Sequence, residues 1–151
     1  MVDENLITEI RAMLGSTGCA ELDRETSNEL AARIAQKYAI DTRNIYWWEA
    51  IGVSAHSCGY EGEDSLRLIR DIVDGNPRVF LFVTDDQAPP WPAFYGSLDA
   101  VLVIISEQQL FEFFIVPDSL EWLIFDTHES RLIWAQIRDR PPINTCDEYD
   151  A

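Results

Sequence analysis

Three short apolar runs close together near the C-terminal end, at 110–116, 120–125 and 131–137, constrain this chain more than anything else in it. Pro117-Asp118-Ser119 splits the first two runs, and the polar stretch 126–130 splits the last two. Runs this short, rich in Phe, Ile, Val and Trp and separated by turn formers, predict a β-meander. A tight turn at 117–119 would set Val116 opposite Leu120 and Phe114 opposite Trp122. Closure at 126–130 would set Phe125 opposite Arg131 and Trp122 opposite Trp134. Phe114, Trp122 and Trp134 then stand side by side, with Phe113, Leu123 and Ile133 on the other face. A sheet apolar on both faces is covered on both or keeps one for a partner. Helices are expected on the Phe113 face, with the tryptophan face covered only in part.

The helices come from upstream. Leu6, Ile10, Met13 and Leu14 recur at helical spacing behind Asp3, with Gly15 as the stop. Thr26-Ser27-Asn28-Glu29 has capping-box spacing, and Leu30, Ile34 and Tyr38 follow on one face. Asp64 can cap a third helix carrying Leu66, Ile69 and Val73, stopped by Gly75 and Pro77. Ile45-Tyr46-Trp47-Trp48 reads as a strand, as does the run 79–83, which ends at Asp85 and Asp86. Ala88-Pro89-Pro90-Trp91-Pro92 is an extended loop, because proline removes ladder donors and restricts the residue before it. Residues 97–106 fit either state; Ser97 as a cap with Leu98, Val101, Leu102 and Ile105 favours a helix. The expected class is α+β, with N-terminal helices packed on a mainly antiparallel sheet that ends in the meander.

With 151 residues, the chain suits one domain. The expected division is an acidic domain over 1–140 and a loose acidic tail over 141–151, beginning Pro141-Pro142 and holding Asp147, Glu148 and Asp150. No apolar stretch approaches the ~20 residues of a membrane span, and the acidic start is unlike a secretory leader. A cytoplasmic location is expected. Cys19, Cys58 and Cys146 are odd in number and widely spaced, so reduced thiols are expected rather than a disulfide framework or zinc ribbon. Twenty-seven acids against eleven bases give a net charge of −16. Such a surface repels nucleic acid and anionic lipid and attracts basic proteins. Solvation, or adaptation to a saline habitat, accounts for the same charge without any partner.

The densest titratable group is Asp126-Thr127-His128-Glu129-Ser130. Asp126, His128 and Glu129 have the donor types for a divalent metal or for acid–base chemistry, although their spacing matches no known metal motif. A polar turn explains the same residues. His56-Ser57-Cys58-Gly59 holds the types of a Cys/His pair, and Asp85-Asp86, closing a strand, offers two carboxylates to a metal or simply a solvated turn; neither pattern is specific. Glycine-rich phosphate loops, nucleophile elbows and basic RNA-reading patches are missing. Among the tryptophans, Trp91 in its proline-rich loop is expected nearest the surface, and Trp122 and Trp134 stand on the meander. Aromatic side chains of this kind anchor protein interfaces.

The order from Arg78 to Ile133 carries a resemblance. It runs from the strand 79–83 through Asp85-Asp86 and Pro-Pro-Trp-Pro to the hairpin ending Trp122-Leu123-Ile124-Phe125-Asp126-Thr127-His128. This segment resembles a group of short bacterial proteins of largely unassigned activity, some of them similar to immunity proteins of polymorphic-toxin systems. In that group a second histidine often follows the one at 128; here Glu129 stands in its place. The resemblance implies a small cytoplasmic domain with a binding role.

Charge, aromatics and resemblance together lead to the expectation of a non-enzymatic protein-binding domain. Its partner would be a basic protein such as a toxin domain, with no nucleic acid, membrane, metal or cofactor involved. Candidate binding residues are Trp91, Trp122, Trp134, Asp126, His128 and Glu129. The alternative is a metal-dependent hydrolase centred on the 126–130 loop.

Overall fold

The computed structural model describes residues 2–62 and 64–137, and within them the order of elements is as follows. Helices α1 (Glu4–Ala12) and α2 (Leu14–Thr17) lead to strand β1 (Ala20–Glu21), helix α3 (Arg24–Lys37) and strand β2 (Ala55–Gly59). Helix α4 (Ser65–Ile72) precedes strands β3 (Arg78–Val83) and β4 (Ala93–Ser97), and helix α5 (Leu98–Ser106) follows them. The meander β5 (Phe113–Pro117), β6 (Trp122–Asp126) and β7 (Arg131–Gln136) comes last. The strands form one antiparallel sheet in the order β1-β4-β3-β5-β6-β7-β2, and the class is α+β. No helix among the described residues is long and apolar enough to cross a membrane. The tail expected over 141–151 lies outside the described residues.

Local chemistry explains where the helices begin and end. Asp3 caps α1 by accepting from the Asn5 amide, and Ser97 caps α5 by accepting from Ala100. The start of α3 lies upstream of the expected capping box, because Asp23 accepts from the Thr26 amide at 2.7 Å and takes the cap. Gly15 is not a stop either: a further turn, α2, runs on to Gly18, whose left-handed φ of 74° ends it. Residues 45–48 are not a strand. The Asn44 side chain accepts from the Tyr46 amide, and one 3-10 turn over Trp47–Glu49 drops Trp47 into the core.

The meander forms, but its register differs from the one expected. Phe114 lies opposite Phe125 rather than Trp122, and Trp134 lies opposite Ile124. In the first hairpin Pro117 still belongs to β5, and the turn closes further on, with Leu120 at φ 60° and its amide on the Pro117 carbonyl. The partner of Phe114 therefore moves by three positions, an odd shift that turns every β6 side chain to the other face. In the second hairpin Thr127 bonds back to Arg131, with Ser130 at φ 57°. The shift there is two positions, so Trp122 and Trp134 keep a common face.

Two different layers result. One face carries the row Phe82, Phe114 and Phe125, in pairs 4.6 and 5.0 Å apart across β3, β5 and β6. Trp47 stacks on Phe114, and Trp91 meets it edge-on at 5.7 Å. Each such aromatic pair contributes about 0.5–1.5 kcal/mol beyond the burial of its area. The other face carries Leu81, Phe113, Ile115, Ile124 and Trp134, and α4 and α5 lie over it through Leu66 and Ile105. Helices thus cover the Phe113 face, and Trp134 shares that face instead of opposing it. Strand β4 needs Gly96, where an added Cβ would collide with Sγ of Cys19.

Candidate functional site

Three segments distant in sequence meet beside the 127–130 turn. After β3 the amides of Thr84 and Asp85 both donate to the Glu112 carbonyl, at 3.2 and 2.9 Å. Asp85 and Asp86 then take left-handed conformations, with φ 47° and 60°, which bend the chain sharply and leave Asp86 exposed beside His128. Aspartate tolerates this region better than most residues, which is why two in succession can make the bend.

Glu112, just before β5, is the centre of the cluster and only 6% exposed. Its Oε1 accepts from Thr84 Oγ1 at 3.2 Å. Its Oε2 accepts from Trp48 Nε1 at 3.2 Å and from the His128 amide at 3.3 Å, and lies 2.8 Å from His128 Nδ1. His128 Nδ1 also lies 3.5 Å from Asp86 Oδ1. Its ring is flanked by Tyr46 and Trp48, with centroids at 5.2 and 5.5 Å. The Tyr46 hydroxyl hydrogen-bonds Asp86. The hydrogen bond to Glu112, followed by the negative charges of Glu112, Asp86 and Glu129, raises the His128 pKa above its ordinary value. The half-buried rings, the imidazole and the exposed acids Glu49, Asp86 and Glu129 make one acidic, aromatic patch.

The residues expected to act together do not converge. Asp126 is 3% exposed and belongs to the face covered by helices, where Tyr60 and Ser65 donate hydroxyl hydrogen bonds to it. Burial, with only neutral hydroxyl donors to offset it, pushes its carboxyl up to about 6. His128 sits in the turn itself and faces Glu112 and Asp86 instead. Glu129 is exposed, and its amide donates to Thr127 Oγ1.

Two of the tryptophans proposed as anchors are interior. Trp91, expected near the surface, is 4% exposed: its indole N–H donates to the Gln87 carbonyl at 2.8 Å and its ring packs edge-on against Trp47. Trp134 is fully buried, and Trp122 is half-buried at the start of β6. His56 stacks on Trp134 across β2 and β7, 5.2 Å between centroids. Cys58 is fully buried and disulfide-bonded, so it offers no thiolate to His56. Cys19 is a free buried thiol; the expectation of reduced cysteines therefore holds for Cys19 and not for Cys58, and Cys146 lies outside the described residues.

Nothing in the local sequence marks Glu112, Trp48 or Tyr46 as site residues, and Asp86 stands out only with Asp85, as a strand-closing pair open to a metal or to solvent. Glu112 did leave a trace, as an acid set between Phe111 and Phe113 in an otherwise apolar run. No family model, curated protein or solved structure matches this chain.

Proposed function

We propose that this chain is a non-enzymatic protein-binding domain that captures a basic partner, such as a cationic toxin domain of the kind immunity proteins neutralise. The observation carrying the proposal is the acidic, aromatic patch around His128, on a chain whose net charge is −16. Exposed Glu49, Asp86 and Glu129 offer carboxylates to Lys or Arg side chains, and half-buried Tyr46 and Trp48 offer ring faces beside them. Long-range attraction then sets the rate of encounter, and the aromatic side chains set how long the complex lasts. A hydrolase at the 126–130 loop draws less support, since Asp126 turns inward to Tyr60 and Ser65 while His128 faces the other way.

Isolation of the native complex from source cells tests the proposal, followed by interferometry with the purified partner at increasing salt. The expected partner is basic, and its association rate falls steeply with salt. Exposed-charge variants Glu49→Gln, Asp86→Asn and Glu129→Gln together should slow association about tenfold or more while changing dissociation little. An acidic partner, or an on-rate indifferent to salt, overturns the reading.

A further inference from the structure

The geometry points to a divalent-cation site of the Zn²⁺ class formed by Asp86, Glu112 and His128. One nitrogen and two carboxylate ligand atoms from these residues lie within 4.8 Å of one another. Around tetrahedral zinc, with bonds near 2.0–2.2 Å, ligand atoms stand about 3.3 Å apart. The separations from His128 Nδ1, 2.8 Å to Glu112 Oε2 and 3.5 Å to Asp86 Oδ1, bracket that value. A mixed imidazole and carboxylate set suits zinc and its transition-metal neighbours, whereas Mg²⁺ and Ca²⁺ prefer oxygen alone.

The ligands are also held from behind, as metal ligands usually are. Thr84 Oγ1 fixes one Glu112 oxygen, and Trp48 Nε1 and the His128 amide fix the other. Tyr46 hydrogen-bonds Asp86, and the His128 ring is set between Tyr46 and Trp48. Glu112 is thereby preset in a buried position, and the two exposed ligands close on the ion from the solvent side. Three protein ligands leave a fourth position open to water or to a ligand atom of a partner. Such an ion would tie the bend after β3 to the turn between β6 and β7. This inference rests on ligand geometry and not on the partner reading, so each can fail alone.

The full-length chain, dialysed against chelator, is the material for the test, with Zn²⁺, Co²⁺ and Mg²⁺ as probes. Calorimetry should find one Zn²⁺ per chain, with a rise in Tm that Mg²⁺ does not reproduce. Co²⁺ should give the intense visible absorption of a tetrahedral site. His128→Ala and Asp86→Asn alter exposed side chains and should leave the fold intact by circular dichroism, while each weakens Zn²⁺ binding at least tenfold. Glu129→Gln, next to the site but outside the ligand set, should leave affinity unchanged. Absence of binding at millimolar Zn²⁺ overturns the inference. So does Zn²⁺ binding that the double variant of Asp86 and His128 retains unchanged.

Discussion

Glu112 and Asp126 are the two carboxylates buried among the described residues, at 6% and 3% exposure, and they are held in opposite ways. Asp126 takes its hydrogen bonds from two hydroxyls, Tyr60 and Ser65. Hydroxyls donate without carrying charge, so burial dominates and the acid drifts toward its neutral form. Glu112 takes two N–H donors and a hydroxyl, and faces an imidazole whose pKa it raises. The first arrangement pins β6 to the segment entering α4. The second keeps an acid, a base and an exposed carboxylate together at the surface, where something else can meet them. Burial of an acid alone therefore does not mark a site; the charge state of its neighbours does.

The largest expected effect tests the Glu112 half of this contrast. Glu112→Ala strands the Trp48 indole N–H, the Thr84 hydroxyl and the His128 amide and ring together. The expected loss is about 3–5 kcal/mol in urea unfolding, since each buried donor left without an acceptor costs about 1–3 kcal/mol. A loss below about 1 kcal/mol would mean that Glu112 is not the anchor of the cluster.

Asp126 should behave differently, in a way that depends on pH. Its folded-state pKa of about 6 lies above the ordinary 3.8, so the folded protein binds the extra proton between those values. The stabilising contribution of the neutral acid is complete below about 4 and is lost as pH rises through about 6, a change of up to about 3 kcal/mol. Asp126→Asn removes that titration. In metal-free buffer, the variant should gain stability relative to the parent between pH 4.5 and 8. Parallel pH curves for parent and variant would erase the difference drawn between the two acids.

The smallest effect belongs to the exposed member of the cluster. Asp86→Asn should change stability by no more than ~0.5 kcal/mol. It should nonetheless lower the His128 pKa followed by NMR, since the Asp86 charge is one of those that raise it. His128 follows the same sign as Asp126, since both folded pKa values are raised: its contribution is present below its ordinary pKa and fades as pH climbs through the raised folded value. An unmoved His128 resonance would detach Asp86 from the cluster and sharpen the case that Glu112 alone governs the imidazole.

The meander and β3 are legible in the sequence as short apolar runs bounded by turn formers, and α4 and the helix after Ser97 as runs with a helical period. The sequence hid β2 and β4. Ala55-His56-Ser57-Cys58-Gly59 has no apolar alternation, since it is an edge strand whose pairing comes from β7. The register failed at one left-handed residue, Leu120, which no local rule assigns to that conformation. The site was half legible. His128 stands out as one of two histidines, but its partners arrive from positions 48, 86 and 112, and only the sheet order brings these together.

The sheet order has a consequence for synthesis. Both borders of the sheet, β1 and β2, belong to the first part of the chain, and the five strands between them are all made later. Ala20 waits for Tyr95, and Ala55 waits for Ala135. A chain emerging from the ribosome therefore carries its two outermost strands before any of the centre exists. Closure of the second border requires Arg131–Gln136, almost the last described residues to be translated. Long-range pairing of this kind slows folding and leaves unpaired strand edges exposed to aggregation meanwhile. Ribosomes stalled anywhere before β7 should hold nascent chains that proteases still cleave in the 55–59 segment.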